Sequence, residues 1–325
     1  MQLWDIEAND NLKIHGCFQR DKEGNEVWVV TVKRGWDWVE NQWVETVETS
    51  IADTPVYLDE PGRSAMKIDH DFPILKRNTD VIVYGRARSY AKKPVTYHEC
   101  RLLVDEHIDK TLTVFGDRKW VEHSGSLTVT ATQPFIDKAI DYSHAFGGDE
   151  RNRLGKGVGT SIKELTGMNV PSVFYSKEDW STSSKAIRVA GFGPLPPFFA
   201  DRYMHAGTYD ENWIENRRPL LPEDFDDRYY QCAPKDQQCN GHLKGGERMM
   251  LSGFCHNDTM IFRVPEERYI AVAAFNKKER SLEMPINTVF IDAEEKQITI
   301  TYTAAFSCQS KEHLLTTTAV EKIKK

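Results

Sequence analysis

The sequence predicts a mainly β protein of the α+β class, with antiparallel β-sandwich or open-barrel lobes and a few short helices. Three observations support this prediction. Short segments rich in β-branched and aromatic residues recur through the first half, with turn residues between them. Similar segments return after residue 248, and the stretch between the two groups is irregular and rich in glycine and proline. This order lacks the strand–helix alternation of a parallel α/β fold.

The first half contains five predicted strands. In 27–39, Trp28, Val30 and Val32 alternate onto one face, and Gly35 is expected to form a bulge or bend. The other strands are predicted at short spacing over 80–90, 95–104, 111–115 and 127–132.

Two short helices are predicted in the middle of the chain, at 161–165 and at 209–217. In the second, Thr208 and Glu211 have the spacing of a capping box, and Pro219 is expected to end the helix. Strands are then predicted at 248–254, 259–264 and 269–275, followed by a hairpin of 288–291 with 298–303. The tail, 313–325, is expected to be helical or frayed.

The chain is predicted to form one domain over residues 1–325, or two packed β-rich lobes. The lobes would be 1–135 and 206–325, joined by an irregular region at 136–205. A chain of this length can bury a core of its own without disulfides or metals.

Composition and charge exclude several classes of protein. Lys and Arg total 42 and Asp and Glu total 49, so the formal charge of −7 argues against a nucleic-acid binder. No apolar run is long enough to cross a membrane, so no membrane insertion is expected. The start lacks the pattern of a secretory signal. The six cysteines are scattered, which together with that start predicts a reducing cytoplasm.

The segment 191–225 is the most informative part of the sequence. Its three prolines at 194, 196 and 197 favour an extended or turning path, yet its aromatic content exceeds that of a solvated loop. The aromatics are either core residues or anchors for a protein partner. The candidate partner-binding residues are Phe192, Phe198, Phe199, Tyr203, Tyr209, Trp213 and Phe225.

Patterns for nucleotide or metal binding fail on spacing. The glycines at 155, 157 and 159 match neither a Walker loop nor a dinucleotide fingerprint. Cysteines and histidines at 232, 239, 242, 255 and 256 lie close in sequence, but six residues separate Cys232 from Cys239, more than in structural zinc sites. No metal or cofactor is therefore predicted.

Candidate catalytic groups also have simpler interpretations. The acidic residues Glu223, Asp224, Asp226 and Asp227 are flanked by arginines, which favours ion pairing. The triplet 69–71, Asp-His-Asp, is interpreted as an exposed capped turn. His144 follows no catalytic motif but is the imidazole that an enzyme hypothesis would test first.

Several long motifs resemble one bacterial family, that of the domain of unknown function numbered twenty-one sixty-nine. In the first half they are SAMKIDHDFPILKRNTDVIVYGRA at 64–87, VFGDRKW at 114–120 and AFGGDERNRLGKG at 145–157. In the second half they are AGFGPLP, AGTYDENW, PLLPEDFDDRYY, APKDQQ and LKGGE, in that order. One departure stands at 152–157, where the family usually has a proline after the asparagine and this chain has Arg153; that loss is expected to loosen the turn.

The resemblance implies a non-catalytic adaptor or chaperone of the type VI secretion system. Such a protein would bind an effector, often through its PAAR-type tip domain, and help to load it onto the VgrG spike. A hydrolase using the Asp and His groups, and an effector-immunity protein, are the alternatives. The motif residues expected to be structural are Asp80, Gly147, Gly148, Gly193, Arg202, Asp210, Asp224 and Asp226.

Overall fold

The chain folds into three large β-sheets and several two-stranded ones, as a computed structural model shows. The model describes residues 5–8, 12–46, 49–159, 161–176, 187–257 and 259–323. The prediction of a mainly β protein with few short helices is confirmed. Among the described residues, no helix is long and apolar enough to cross a membrane.

The described strands have eight residues or fewer, apart from two with 14 and 11 residues. They are β1 Asp5–Ala8, β2 Lys13–Arg20, β3 Glu26–Val39, β4 Gln42–Thr46, β5 Val56–Tyr57, β6 Met66–Ile68, β7 Asp80–Tyr84, β8 Arg86–Arg88, β9 Tyr97–Val104, β10 Ile108–Phe115, β11 Trp120–His123, β12 Ser126–Val129, β13 Asp137–Ala139, β14 Phe146–Gly147, β15 Lys156–Gly157, β16 Val173–Phe174, β17 Arg248–Ser252, β18 Met260–Arg263, β19 Tyr269–Phe275, β20 Lys278–Met284, β21 Ile286–Asp292, β22 Gln297–Ser307 and β23 Leu315–Lys322.

The helices are single turns or little more. They are α1 Ile162–Leu165, α2 Ala200–Tyr203 and α3 Glu211–Asn216, with 3-10 turns at Tyr90–Lys92, Tyr142–His144, Asp227–Tyr230, Lys235–Gln237 and Glu312–Leu314. The first predicted helix is confirmed, because Ser161 caps α1 by accepting a hydrogen bond from the Glu164 amide.

The six-stranded sheet is built around the longest strand. Its order is β2-β3-β22-β21-β7, and β4 also pairs with β3. The predicted bulge at Gly35 is wrong, because β3 pairs with β22 without interruption and places Gly35 opposite Thr299. The glycine serves close packing instead: a Cβ there would lie 2.5 Å from the Thr49 hydroxyl oxygen.

Two further sheets complete the architecture. The five-stranded sheet has the order β16-β10-β9-β17-β18, and the four-stranded sheet has the order β1-β23-β19-β20. The expectation of a helical or frayed tail is wrong for the described residues, since Leu315–Lys322 forms a strand between β1 and β19. Residues 324 and 325 lie outside the described residues.

One large hydrophobic core is shared by the three sheets. It includes Trp28 of β3, Leu102 of β9, Met249 of β17, Tyr269 of β19 and Ile300 of β22, all almost fully buried. Each large sheet combines strands from the first and the last third of the chain. The sheets therefore do not follow the predicted lobe boundaries, and the division into domains stays a prediction.

Candidate partner-binding surface

The aromatic segment 191–225 divides sharply by burial. Phe192 and Phe199 are 1% exposed and Phe225 is also buried. Tyr203 and Tyr209 are 58% and 46% exposed. Phe198 and Trp213 are half-buried. The core interpretation therefore holds for the buried rings, and the exposed and half-buried rings stay candidates for contact with a partner in this conformation.

The buried rings attach the start of the segment to the body of the protein. Phe192 packs edge-on against Phe254, with ring centroids 5.4 Å apart, and Phe199 packs in the same way on Tyr142, also at 5.4 Å. The Tyr142 hydroxyl donates to the Gly193 carbonyl at 2.9 Å. These edge-to-face contacts stabilise the path of the proline-rich stretch.

Arg202 fixes the helix that follows. Although this side chain is 2% exposed, its guanidinium lies 2.7 Å from the Asp69 carboxylate and donates to the Leu195 and Tyr229 carbonyls at 3.0 and 2.9 Å. Burial alone would raise the pKa of Asp69, but Arg202 beside it lowers that pKa below its usual value. The buried pair holds α2 to the segment before β7.

A second buried pair holds the loop before residue 243. The Lys76 ammonium lies 2.6 Å from the Asp80 carboxylate, and both side chains are almost fully buried. Asp80 also accepts hydrogen bonds from the Gln231 amide group at 2.7 Å and the Cys232 backbone amide at 2.8 Å. Burial alone would lower the pKa of Lys76, but Asp80 raises it well above its ordinary value. Asp80 therefore joins residues 231 and 232 to the segment before β7.

The triplet 69–71 is not exposed, which corrects the interpretation of the sequence. Asp69 and Asp71 are both buried. Asp71 lies 2.8 Å from the Lys33 ammonium and accepts hydrogen bonds from the Thr301 hydroxyl and the Ala52 amide. The local sequence could not show this, because the cations that neutralise the triplet come from distant positions in the chain.

Lys110 of β10 reaches the same loop from the five-stranded sheet. Its buried ammonium donates to the Gly191 carbonyl and the Gln237 side chain, both at 2.7 Å, and to Asp236 at 2.9 Å. Burial lowers the pKa of Lys110 to about 8, an effect that Asp236 partly opposes. The Lys110 side chain thus holds residues 191, 236 and 237 together.

Helix α3 begins two residues later than the capping box predicts. The cap is Asp210, whose carboxylate accepts from the Trp213 amide at 2.9 Å, so the proposed role of Thr208 as cap is wrong. Thr208 instead binds Asp224 through its amide at 2.9 Å and its hydroxyl at 2.7 Å. Asp210 and Asp224 therefore both organise the backbone of this loop.

The end of α3 is attached to the turn between β2 and β3. The Trp213 indole donates to the Leu220 carbonyl at 2.8 Å. Arg217 donates to the Leu221 and Lys22 carbonyls, both at 2.9 Å. In the same region, Asp226 accepts from the Arg228 amide and lies 2.6 Å from the Arg228 guanidinium. Asp226 is thus ion-paired with a neighbouring arginine, whereas Asp224 accepts hydrogen bonds from Thr208.

We define the apolar patch as Tyr203, Met204, Tyr209 and Ile214. These four exposed side chains fall within twelve consecutive residues, and Met204 is 72% exposed. Tyr209 stacks edge-on against Trp213, with centroids 4.7 Å apart. The sequence analysis missed Met204 and Ile214 because single exposed aliphatic residues carry no signal of their own.

Gly147 and Gly148 lie in the glycine-rich turn around Asn152. The buried Asn152 side chain donates to the Tyr142 and Phe146 carbonyls at 2.7 and 3.1 Å and accepts from the Leu154 and Gly155 amides. A Cβ at Gly147 would lie 2.2 Å from the Asn152 carbonyl oxygen, and Gly148 has a φ of 105°. Asn152 thus fixes the turn in which this chain lacks the proline of the family pattern.

Within the described residues, His144 contacts no nucleophile in the geometry of a proton relay. Its Nδ1 contacts both the Asp141 carboxylate and the Ser143 hydroxyl at 3.1 Å, and Ser143 also bonds to Asp141. A relay needs the nucleophile and the orienting carboxylate on opposite nitrogens of the imidazole ring. The contacts instead describe a capped 3-10 turn.

The cysteine and histidine set around residue 232 is dispersed. Among the described residues, no group of three or more His, Cys, Asp and Glu side chains is placed to hold a metal ion. Burial raises the pKa of the Cys239 thiol to about 12 and also raises that of Cys232. Both thiols are therefore protonated side chains of the interior.

The fold and the surface define the class: a three-sheet, mainly β protein whose buried ion pairs hold an irregular loop region with an exposed apolar patch. The family model described as "Uncharacterized protein conserved in bacteria (DUF2169)" matches residues 23–303, and the chain belongs to that family. No curated protein and no solved structure matches this chain.

Proposed function

We propose that this chain is a non-catalytic, cytoplasmic adaptor of the type VI secretion system. It binds an effector, through a PAAR-type tip domain, and helps to load it onto the VgrG spike. The family resemblance in the sequence motifs suggests this role, and the observation that carries the proposal is the apolar patch.

The patch has two properties suited to binding a protein. Its side chains include two tyrosines and a methionine, residue types that are enriched at protein interfaces. Its backbone is held by Arg202 before it, by the contacts of Asp210 and Asp224 within it, and by Arg217 after it. A surface that is ordered before binding loses less conformational entropy on association.

The buried motif residues support the same proposal, because they hold loops in place. Asp80 and Arg202 are fully engaged in pairs that hold loops together. None of these contacts leaves a group positioned for chemistry, which favours binding over catalysis.

The test is co-purification with a PAAR-domain effector, followed by titration calorimetry. Met204→Ser and Ile214→Ser are each expected to weaken binding at least about tenfold, the loss of an interface anchor. Met168→Ser and Ile162→Ser are matched controls, because they also remove exposed apolar side chains but lie around α1. Those controls should bind like the natural sequence.

Three outcomes would overturn the proposal. One is the lack of any complex with a PAAR protein, effector or VgrG when both partners are folded. Another is turnover of a small substrate that His144→Ala or Asp224→Ala abolishes, which would indicate the hydrolase. The third is protection of a toxin-producing cell by this chain alone, which would indicate an immunity protein.

A further inference from the structure

A large cleft lies away from the apolar patch, between two sheet edges. Its volume is about 700 Å³, which is within the range of ligand-binding sites. One wall is the tip of the β3–β4 hairpin, with Trp38, Glu40 and Asn41, and the other is the start of β18, with Met260 and Ile261.

The wall formed by β18 is an open sheet edge. β18 is the last strand of the five-stranded sheet, and its neighbour is β17 on one side only. Ile261 is 46% exposed, whereas Met260 and Phe262 on either side of it are buried. An exposed apolar strand edge is a template for another extended chain.

The hydrogen-bond pattern shows which backbone groups face the cleft side. The Val264 amide donates to the Glu247 carbonyl at 2.9 Å, toward β17. In an antiparallel ladder this direction alternates along the strand, so the N–H and C=O groups of Ile261 and Arg263 point away from β17. The Trp43 indole confirms this direction by donating to the Arg263 carbonyl at 2.9 Å. Within the described residues, no loop or side chain bonds to the Ile261 backbone.

Three aromatic rings hold this edge in place. Trp43 packs edge-on against Phe262, with centroids 4.9 Å apart, and Trp38 lies 4.7 Å from Trp43. The Trp38 amide donates to the Lys296 carbonyl at 2.7 Å. These contacts fix the hairpin relative to β18. Among the described strands, the outer edge of β18 is left without a paired strand beside the hairpin tip.

The charge of the cleft is opposite to that of the protein as a whole. Its described charged lining residues are Arg88, Lys92, Lys296 and Glu40. Arg88 is neutralised by Asp137 at 3.0 Å and Glu294 at 2.5 Å, but within the described residues Lys92 and Lys296 form no ion pair. His256 also lines the cleft, and its Nδ1 donates to the Ser89 carbonyl at 2.8 Å. In a chain of net charge −7, this local excess of cations favours an acidic occupant.

We infer that this cleft binds an extended acidic peptide segment of a partner protein, which adds as a strand to the edge of β18. The Ile261 N–H and C=O supply main-chain hydrogen bonds, and Lys92 and Lys296 select acidic side chains. This site is separate from the apolar patch and does not depend on the proposed adaptor function.

The probe is a fluorescent octapeptide of alternating glutamate and valine, with an octapeptide of alternating lysine and valine as the charge control. Anisotropy titration of the full chain is expected to show binding of the first peptide at least about tenfold tighter than of the second, with an affinity that falls as salt rises. Lys92→Glu combined with Lys296→Glu should remove that preference.

Ile261→Pro tests the main-chain hydrogen bond. Proline is tolerated in an edge strand where the missing N–H faces outward, so the β17 ladder stays intact. This variant should weaken peptide binding at least about tenfold, and Ile261→Thr, which keeps the N–H, should not. If the proline variant fails to fold, the natural chain can be titrated with the same peptide carrying N-methyl groups on alternate amides. These groups remove the donors and the acceptor geometry for strand pairing, so this peptide should show the same loss of binding.

Equal binding of the two peptides, or unchanged binding after loss of the edge hydrogen bond, would overturn the inference. So would self-association of the chain by sedimentation that Ile261→Pro abolishes, because the occupant of the edge would then be a second copy.

Discussion

Two buried lysines hold the same loop, one from the segment before β7 and the other from the five-stranded sheet, yet their charges are stabilised to different degrees. Lys76 faces Asp80, a carboxylate with no exposed surface, and its pKa is raised. Lys110 faces Asp236, whose side chain is 39% exposed, and its pKa falls to about 8. Burial opposes the charged form in both cases, but the attraction of a carboxylate compensates fully only where water is excluded from the carboxylate as well.

The largest effect is expected from breaking the Lys76 pair. Lys76→Met leaves the Asp80 carboxylate buried without a cation, which should lower the free energy of unfolding by about 3–5 kcal/mol. Urea unfolding followed by tryptophan fluorescence measures this change. Lys163→Met, at an exposed position of α1, is the control and should stay within about 0.5 kcal/mol of the natural sequence. A loss below about 1 kcal/mol in Lys76→Met would show that the pair is hydrated.

Lys110→Met should have a smaller effect that depends on pH. The change removes donors to the Gly191 carbonyl and the Gln237 side chain, so a loss of about 1–3 kcal/mol is expected at neutral pH. The folded-state pKa of Lys110 is below its ordinary value of 10.5, so in the natural chain its charge disfavours folding below pH 8. That penalty disappears as the pH rises from about 8 to 10.5.

The deficit of Lys110→Met relative to the natural chain should therefore grow between pH 8 and 10.5, as measured by urea unfolding across that range. The deficit of Lys76→Met should stay constant there, because a raised pKa contributes stability that is lost only above the ordinary value. If the stability deficits of the two variants changed with pH in the same way, the expected difference between the Lys76 and Lys110 sites would be wrong.

Asp236→Asn should have the smallest effect, within about 1 kcal/mol at neutral pH, because the carboxylate is partly hydrated in the folded protein. Since Asp236 opposes the effect of burial on Lys110, its loss should lower the pKa of Lys110 further. The interval in which stability rises with pH would then begin below pH 8. Urea unfolding of this variant at several pH values checks that shift, and an unchanged interval would show that Asp236 does not act on Lys110.

The sequence predicted the features that depend on local pattern. The hairpin of β21 and β22 was correct because alternation and a polar turn over 293–296 are contained in one short segment. Asp226 and its arginine neighbours were also interpreted correctly, since the ion-pair partner Arg228 is two residues away.

Features that depend on distant partners could not be predicted. β23 was missed because it pairs with strands forty or more residues earlier in the chain. The burial of Asp69 depends on Arg202, which is remote in sequence. The sequence likewise could not distinguish the buried from the exposed aromatic residues of segment 191–225, because Phe199 and Tyr203 differ in burial but not in their local sequence pattern.

The position of β23 has a consequence for biosynthesis. This strand lies inside its sheet, between β1 from near the beginning of the chain and β19. The sheet therefore cannot close until residue 322 has left the ribosome, and β1 has no partner strand until then. Such long-range closure makes folding slow and leaves unpaired edges exposed in the meantime. Removing the last dozen residues would leave β1 without its neighbour rather than trim the surface.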